Sequence, residues 1–218
     1  MNLLDLHTVF RREMADTVEP YLWGDAECTE FANDALMEAV RRGLLIIDST
    51  TTAICNIAYT TDPVLSLDYR VIAIRSALIS GQSIPLERVT VDWMDYNYPG
   101  WRSTTAAIPT MYIADWGSRK IRLYPDPTTS GTVLLSVHRE PTALTAFGDI
   151  PEIPTRFHRS LVHGMKYRAY LKGDTEVSNQ AAAAREEAAF AAEFGERRSA
   201  RNEVWADSMT GMMADTLA

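Results

Sequence analysis

Apolar side chains recur with helical spacing between residues 154 and 195, and this stretch constrains the fold most. One helix is predicted to begin at Thr155, whose hydroxyl can cap it, and to end at Gly173-Asp174. A second, alanine-rich helix is predicted to begin near Thr175. The apolar stripes are Phe157, Leu161, Val162, Met165 and Ala169 in the first helix, and Val177, Ala181, Ala184, Ala188 and Ala191 in the second, with Phe190 and Phe194 one turn apart. Neither helix can bury its stripe alone, so another part of the chain must cover them.

The first forty-odd residues supply two matching helices. The first is predicted from Leu3 to about Thr17, ended by Glu19-Pro20, because the residue before proline avoids the helical region. The second follows Asp25 as its cap and stops at Arg41-Arg42-Gly43. Its two apolar rows are Phe31, Ala35 and Ala39, and Ala32, Leu36, Val40 and Leu44. This wide stripe is predicted to lie against the C-terminal pair.

Between Leu45 and Pro141 the apolar period changes from 3.6 to 2, which is typical of strands. The β-rich segments are Ile54 to Thr60, Tyr69 to Ser80, Met111 to Ala114, Lys120 to Tyr124 and Thr132 to Arg139. Hairpin connections are predicted at residues 80–83 and 115–118. Residues 85–98 are compatible with a strand through Val89 and Val91 or with a short helical turn.

Helices, then strands, then helices predict an α+β fold. We expect a helical bundle from N- and C-terminal helices with an inserted antiparallel β-sheet or sandwich, plus an extended C-terminal arm. The expected divisions are residues 1–44, 45–141, 142–195 and 196–218. No β-α-β alternation is present, which argues against a Rossmann-type sheet.

The net charge of -8 and the pI of about 5.0 argue against a protein that wraps nucleic acid by neutralising its charge. They do not exclude a protein that lets DNA pass without adhering. Arginine supplies 18 of the 21 basic residues. This enrichment is typical of interfaces, and a GC-rich genome explains it equally well.

Cys28 and Cys55 lie far apart in the sequence, so both are predicted to be reduced. Neither a signal peptide nor an apolar segment of transmembrane length is recognisable. These features favour a soluble protein made in a reducing cytoplasm.

No catalytic, metal-binding or cofactor-binding motif is present in the sequence. The pattern contains no phosphate-binding glycine loop, no nucleophile elbow and no H-E-x-x-H. His158 and His163 are five residues apart and therefore make a poor metal pair on a helix. We predict no catalytic residue, no metal and no cofactor.

Two carboxylate pairs and an aromatic cluster are alternative places for chemistry. Asp92 with Asp95, and Asp149 with Glu152, suit a divalent ion or acid-base work, but turn capping and solvation are the more usual roles. The aromatic cluster is Trp93, Tyr96, Tyr98 and Trp101. It suits stacking on sugars or bases, a satellite core, or a subunit contact.

The segment after Glu196 differs in composition from the rest of the chain. Its basic and large apolar residues are Arg197, Arg198, Arg201, Trp205, Met209, Met212 and Met213. A Met-rich, Trp-bearing terminus favours docking to a partner, and a frayed tail is the alternative.

The order of several short motifs resembles the head-to-tail connector adaptor proteins of tailed bacteriophages. The resemblance covers roughly residues 23–195. The motifs are Trp23-Gly24-Asp25 before a helix with Asn33-Asp34, Tyr69 to Ile74, Pro85-Leu86-Glu87-Arg88-Val89, Trp101, Ile108-Pro109-Thr110-Met111-Tyr112, Ile121-Arg122-Leu123-Tyr124-Pro125-Asp126-Pro127, Arg139-Glu140-Pro141, and Ile153-Pro154 to Val162.

The resemblance implies a ring, commonly of twelve copies, beneath the capsid portal. Its helical part would surround a channel through which double-stranded DNA passes without sequence-specific binding. C-terminal segments would clasp the portal protein, and the lower face would receive a tail, nozzle or tail-terminator protein. The expected location is the neck of the virion, assembled in the host cytoplasm, with no membrane partner.

By the same analogy, site residues can be assigned to two interfaces. Arg159, Arg168 and Arg185 are expected to meet acidic groups of a neighbouring subunit. Ala181, Ala184 and Ala188 are expected to let it approach closely. The residues expected to bind the portal are Arg197, Arg198, Arg201, Trp205, Met209, Met212 and Met213.

Two other functions stay open at this point. One is another structural component of the virion, from the tail or baseplate. The other is a ligand-binding module that uses the aromatic loop from Trp93 to Trp101. An enzyme has no positive support in the sequence.

Overall fold

A computed structural model describes residues 1–172, 179–197 and 199 of the chain. The chain divides into two compact units. In its described part, the first comprises residues 1–46, 140–172 and 179–197 and is here called the helical unit. The second comprises residues 47–139 and is called the β unit. The fold is therefore mixed α+β, which confirms the predicted class.

The described residues contain six α-helices and ten strands. The helices are α1 (Leu3–Glu13), α2 (Asp25–Gly43), α3 (Thr52–Cys55), α4 (Val91–Asn97), α5 (Leu161–Leu171) and α6 (Gln180–Phe194). The strands are β1 (Ile47–Asp48), β2 (Asn56–Tyr59), β3 (Val64–Ser66), β4 (Val71–Ile79), β5 (Glu87–Val89), β6 (Thr105–Ala106), β7 (Met111–Gly117), β8 (Lys120–Tyr124), β9 (Asp126–Pro127) and β10 (Gly131–Arg139).

Helix α1 is held at its start by a capping box between Asn2 and Asp5. It ends at Glu13, so the predicted end near Thr17 was wrong. Ala15 adopts a left-handed backbone (φ 57°), which ends the helix early. The carboxylate of Asp16 then accepts hydrogen bonds from the loop, including the backbone N–H of Leu22 at 2.8 Å.

Helix α2 begins at Asp25, and both of its predicted apolar rows face inward. Ala32, Leu36 and Val40 of one row are fully buried, and Ala35 and Ala39 of the other row are buried as well. The predicted cap was wrong, because Gly24 occupies the cap position and the carboxylate of Asp25 pairs with Arg11 at 2.8 Å.

Helix α5 begins at Leu161, six residues later than predicted. Thr155 does not cap it with its side chain, because residues 155–157 form a separate 3₁₀ turn. Leu161, Met165 and Ala169 are fully buried, so the predicted stripe is confirmed within the helix. The predicted stop at Gly173-Asp174 lies outside the described residues.

Helix α6 begins at Gln180 and is capped by the Asn179 side chain, which accepts from the N–H of Ala182 at 3.0 Å. The predicted start at Thr175 and the stripe residue Val177 lie outside the described part of the chain. The rest of the predicted stripe was wrong, because Ala181, Ala184 and Ala188 are exposed and Ala191 is only half-buried. The buried face consists of Ala182, Ala183, Glu186, Phe190 and Phe194. Burying two phenylalanines removes more apolar surface from water than burying a row of methyl groups, so the aromatic residues set the orientation of the helix.

Helices α2 and α6 both approach Gly164 in α5. A Cβ atom at this position would lie 2.7 Å from Cβ of Ala35 in α2 and 2.9 Å from Cε2 of Phe190 in α6. Helices α2, α5 and α6 therefore approach one another more closely than any larger side chain would permit. N-terminal and C-terminal helices pack together in this unit, as the sequence predicted.

Strand β10 organises the first sheet of the β unit. It pairs with β4 along residues 133–139. It also pairs with β2 along residues 131–134 and with β1 at residues 137–138, which overlap the segment paired with β4. Because a strand has two edges, β1 and β2 share the edge opposite β4. All of these pairings are antiparallel.

The second sheet has the order β3-β8-β7-β5, and β6 pairs separately with β9. Strand β5 runs parallel to β7, and β6 runs parallel to β9, so the expectation of purely antiparallel pairing was wrong in these two places. The main core of the β unit combines side chains of both sheets, including Tyr112, Leu123 and Val133.

Segments with a strong alternating pattern were correctly predicted to be strands, whereas segments with a mixed pattern were not. Strands β4, β7, β8 and β10 confirm four predicted segments, whereas Ile54 to Thr60 divides into α3 and β2. A hairpin joins antiparallel β7 and β8, as predicted, but its turn lies at residues 118–119, because residues 115–117 belong to β7. The hairpin predicted at residues 80–83 was wrong, because β4 pairs with the distant β10. Residues 85–98 contain both alternatives, strand β5 followed by helix α4.

Replacing Gly164 with alanine should destabilise the helical unit. Overpacking against Ala35 and Phe190 costs about 1–3 kcal/mol, while the better helix propensity of alanine returns up to about 1 kcal/mol. Urea unfolding measures the change. Gly148→Ala is the matched control, because no atom lies within 4 Å of its added Cβ. Equal midpoints for both variants would contradict the close approach at Gly164.

Candidate assembly surfaces

Four residues predicted to face a neighbouring subunit form one exposed row on α6. Ala181, Ala184, Arg185 and Ala188 are all exposed and follow i, i+3, i+4 and i+7 spacing, which places them on one helical face. The face consists of three methyl groups beside one guanidinium. Small side chains permit close approach of another helix, and the arginine adds a charged hydrogen-bond donor.

The other two predicted interface residues are Arg159, which precedes α5, and Arg168, which lies in the last turn of α5. The structure does not bring them together. Arg159 pairs with Glu13, and Arg168 pairs with Asp34 at 3.2 Å. Their side chains are nevertheless 55% and 44% exposed, so each guanidinium still reaches solvent. Exposed pairs of this kind contribute little stability and leave donors for a further partner.

Of the residues predicted to bind the portal, the structure describes only Arg197. Its side chain is 63% exposed, and its Nε lies 3.4 Å from Oε1 of Glu38. Arg198, Arg201, Trp205, Met209, Met212 and Met213 lie outside the described residues.

Arg42 has a role that the sequence interpretation missed. We predicted a helix stop here, yet the guanidinium is buried and binds three groups in α2, in α6 and in the C-cap of α6. It donates to Glu38 at 2.9 Å, to Glu187 at 2.6 Å and to the carbonyl of Gly195 at 3.2 Å. The sequence did contain a signal for this burial, because Arg42 lies three residues after Ala39 and therefore on the same, buried face of the helix. Arg42 thereby fixes the C-terminal end of α6 against α2.

A second charged network joins α1, α5 and α6 through Glu186. Its carboxylate binds Nδ1 of His163 at 2.7 Å and Nζ of Lys166 at 2.7 Å. Lys166 also reaches Glu13 at 3.3 Å. Burial alone would raise the pKa of Glu186, but the hydrogen bonds from His163 and Lys166 bring that pKa below its ordinary value. These charges are paired in the fold and are not arranged for proton transfer.

The cysteines and His158 occupy structural positions. Both thiols are buried, and burial raises the pKa of Cys28 to about 11 and also raises the pKa of Cys55. A protonated buried thiol is a poor nucleophile. His158 is buried against the backbone, with Nε2 2.9 Å from the carbonyl oxygen of Ile153. Within the described residues, no three His, Cys, Asp or Glu side chains lie close enough to hold a metal ion.

The carboxylate pairs serve as turn caps and ion-pair partners. Asp95 accepts from Nε1 of Trp101 at 2.7 Å and from Arg102 at 2.6 Å. Asp149 accepts the backbone N–H groups of Thr145 and Ala146, and these bonds lower its pKa. Asp92 is exposed at the start of α4.

Two of the four residues of the aromatic cluster belong to a satellite core of the β unit. Trp101 is 1% exposed and packs edge-on against Tyr124, and Trp93 is half-buried against Tyr98. Tyr96 and Tyr98 are 86% and 38% exposed. A stacking platform for sugars or bases needs exposed ring faces, which Trp101 does not offer. The ligand-binding alternative therefore depends on Tyr96 and Tyr98 and stays a prediction.

An apolar patch on the helical unit was not predicted from the sequence. Leu4, Phe147 and Ile150 are 50%, 47% and 63% exposed. They are brought together because the backbone N–H of Leu4 donates to the carbonyl of Phe147 at 3.1 Å. Nothing in the local sequence signals this pairing, since it joins segments more than 140 residues apart. Exposed apolar patches of this kind are common at protein contacts.

The most strongly hydrogen-bonded carboxylate is Asp48 in the β unit. It accepts the backbone N–H groups of Thr50 and Thr51, the Thr51 hydroxyl at 2.7 Å and Nε of Arg139 at 2.7 Å. Burial would raise its pKa, but these donors hold the pKa far below the ordinary range. Asp48 thus ties the beginning of the β unit to its end.

The described surfaces therefore offer contact areas on the helical unit. The model of the SU10 adaptor protein family matches residues 1–212. The chain belongs to the SU10 adaptor protein family, a family of phage head-to-tail connector adaptors. This confirms the resemblance noted in the sequence. A search of curated proteins found no match.

Family membership supports a structural adaptor role in a phage particle and makes the chain a component of the virion. Adaptor proteins of this type are typically not enzymes. In the part of the chain that the structure describes, no helix is both long and apolar enough to cross a membrane.

Replacing Asp48 with asparagine should destabilise the protein by about 3–5 kcal/mol at pH 7, because the neutral amide loses the ion pair with Arg139 and cannot accept every hydrogen bond that the buried carboxylate accepts. The folded-state pKa of Asp48 is depressed, so its contribution is present above the unfolded value of about 3.9 and is lost as pH falls below it. The difference between wild type and variant should therefore shrink toward pH 2–3.

Urea unfolding at neutral and acidic pH measures this difference. Asp92→Asn, at an exposed position in the same unit, is the control and should change stability little at either pH. A difference for Asp48→Asn that is the same at both pH values would contradict the ionised role of Asp48.

Proposed function

We propose that this chain forms a closed ring, of twelve copies, in the phage neck between the capsid portal and the tail or nozzle. The ring lines a channel through which double-stranded DNA passes without sequence-specific binding. The observation that carries this proposal is the match of the SU10 adaptor protein family to nearly the whole chain.

The distribution of charge supports the DNA channel. Residues 1–46 and 140–198 hold 18 acidic and 12 basic side chains, whereas residues 47–139 hold eight of each. The acidity of the chain is thus concentrated in the sequence of the helical unit. An acidic channel wall repels phosphate groups, so DNA slides through it and does not adhere. In this proposal the helical unit lines the channel.

The exposed face of α6 supports the contact between ring neighbours. A ring of identical subunits needs two different, complementary surfaces on each copy. The row of Ala181, Ala184, Arg185 and Ala188 supplies the first, and Arg159 and Arg168 supply additional donors. The apolar patch of Leu4, Phe147 and Ile150 is the candidate for the second.

The segment after Glu196 docks to the portal protein in this proposal. Its composition supports the assignment, because arginine, tryptophan and methionine are enriched where proteins bind one another. The opposite face of the ring receives the tail, nozzle or tail-terminator protein. Assembly takes place in the host cytoplasm, and the finished ring stays in the virion neck.

Removing residues 198–218 should abolish binding to the portal while leaving the helical unit folded, since this cut keeps the Gly195 carbonyl that Arg42 binds. Mass photometry of the chain mixed with purified portal measures the complex, and circular dichroism measures the fold. Retained binding by the folded truncated chain would contradict the portal assignment.

Replacing Ala184 with glutamate should block assembly of the ring on the portal, because a long charged side chain prevents close approach of a neighbour. Ala184 is exposed, and glutamate is a good helix former, so the isolated chain should keep its stability. Ala184→Ser keeps a small side chain and is the control. Electron cryomicroscopy of necks assembled with each variant would show a ring for serine and none for glutamate. A complete ring with glutamate would exclude this face as the subunit contact.

A further inference from the structure

A cleft of about 100 Å³ lies in the β unit between β4 and the β3-β8-β7-β5 sheet. Four consecutive residues of β4, Val71 to Ile74, line it. The register with β10 passes over Ile72, so a β-bulge lies within these four residues and their side chains do not strictly alternate between two faces. Among the described residues, none of β10 lines the cleft, so the cleft lies beside the edge of β4 that faces away from β10.

This edge of β4 is the one that faces away from β10. Residues 71–79 pair with β10 along the opposite edge. Among the described residues, β4 forms no ladder with any other strand, and the N–H of Leu86 reaches it only at the Ala77 carbonyl, beyond the cleft. An open strand edge of this kind is a template for an added strand.

The opposite wall of the cleft is one face of the second sheet. Arg88 of β5 lies beside Tyr112 of β7, and Ala114 follows two residues along on the same face. Ile121 of β8 adds a buried apolar side chain. This wall is largely apolar and suits the side chains of an extended peptide.

Every charged residue that lines the cleft is a cation. These residues are Arg88, Arg119 and Lys120, and no carboxylate is among the lining side chains that the structure describes. Asp68 follows the lining residue Leu67, and the pKa of Asp68 is lowered by its hydrogen bonds with Arg70 and also by the positive charge of Arg119. Arg119 and Lys120 are exposed at the turn between β7 and β8. The β unit as a whole carries equal numbers of acidic and basic residues, so this local excess of positive charge is a property of the cleft. It favours a ligand of negative charge.

We infer that this cleft binds an extended acidic segment of another protein, which adds a strand to the open edge of β4. Backbone groups of the segment pair with those of residues 71–74, apolar side chains enter the cleft, and carboxylates meet Arg119 and Lys120. A nucleic acid fits less well, because a phosphate backbone accepts hydrogen bonds but cannot alternate donors with acceptors as a strand edge requires. This inference does not depend on the ring or on the portal contact.

The test uses the full-length chain and a fluorescent peptide of four Glu-Val repeats with blocked ends. We expect saturable binding by fluorescence anisotropy. A Lys-Val peptide of the same length should bind at least about tenfold more weakly, because its charge is reversed. A Glu-Val peptide with alternate N-methylated amides should also lose about tenfold, because it cannot donate to the strand edge.

The protein variants locate the site. Arg119→Glu with Lys120→Glu should weaken binding at least about tenfold. Arg75→Glu, exposed on the same β4 but outside the cleft lining, should change it less than about twofold. Circular dichroism and thermal unfolding verify that both variants are folded.

Three results with these peptides and variants would overturn the inference, and a competition experiment can give a fourth. These are a lack of saturation, equal binding of the N-methylated peptide, and equal loss in the Arg75 and Arg119/Lys120 variants. A peptide of this chain's own residues 202–213, which carries Glu203 and Asp207, serves as competitor. Unlabelled Glu-Val peptide is the reference competitor. If the 202–213 peptide displaces the labelled peptide at a lower concentration than this reference does, the cleft binds a segment of this chain. The assignment of the cleft to a partner protein is then wrong.

Discussion

The close approach of three helices at Gly164 is the constraint on which the helical unit depends. Ala35 comes from the N-terminal segment, and Phe190 comes from the C-terminal segment. A contact at van der Waals distance between residues so distant in sequence requires that both ends of the polypeptide fold together. The buried Arg42, which ties α2 to Glu187 and to the end of α6, secures the same junction with charged hydrogen bonds.

The β unit depends on a comparable closure at its own ends. Ile47 pairs with His138, and Asp48 binds Arg139, so the chain enters and leaves this unit side by side. Adjacent entry and exit points allow a segment to be inserted into another unit without disturbing it. The helical unit and the β unit are therefore each closed by contacts of their own.

Sequence patterns predicted the elements that one dominant periodicity defines. The wide stripe of α2 and the strands β8 and β10 were recognisable because every second or every third and fourth residue is apolar. The buried face of α6 was predicted incorrectly, because an alanine-rich helix has no strong apolar stripe. The two phenylalanines bury more apolar surface than the alanine row and so determine which face is buried. The parallel pairing of β5 with β7 was missed because strand direction depends on long-range connections that period alone does not encode.

The candidate surfaces were predictable to a smaller extent. Exposure of Ala184 and Arg185 follows from the orientation of α6, which the sequence did not give correctly. The patch of Leu4 and Phe147 and the cationic cleft beside β4 arise from tertiary contacts between distant segments. In the described residues, most ionisable side chains that are buried form hydrogen bonds or ion pairs within the fold, which agrees with a protein that works through contacts.

Excision of the β unit tests the central claim, that helices from both ends of the chain make one self-sufficient unit. Residues 47–139 are replaced by a short glycine-serine linker between Ile46 and Glu140. The account predicts a helical circular dichroism spectrum, one cooperative thermal transition, and slow hydrogen exchange in α2 and α5. A chain that unfolds without cooperativity, or whose α5 amides exchange as fast as those of an unfolded peptide, would contradict it.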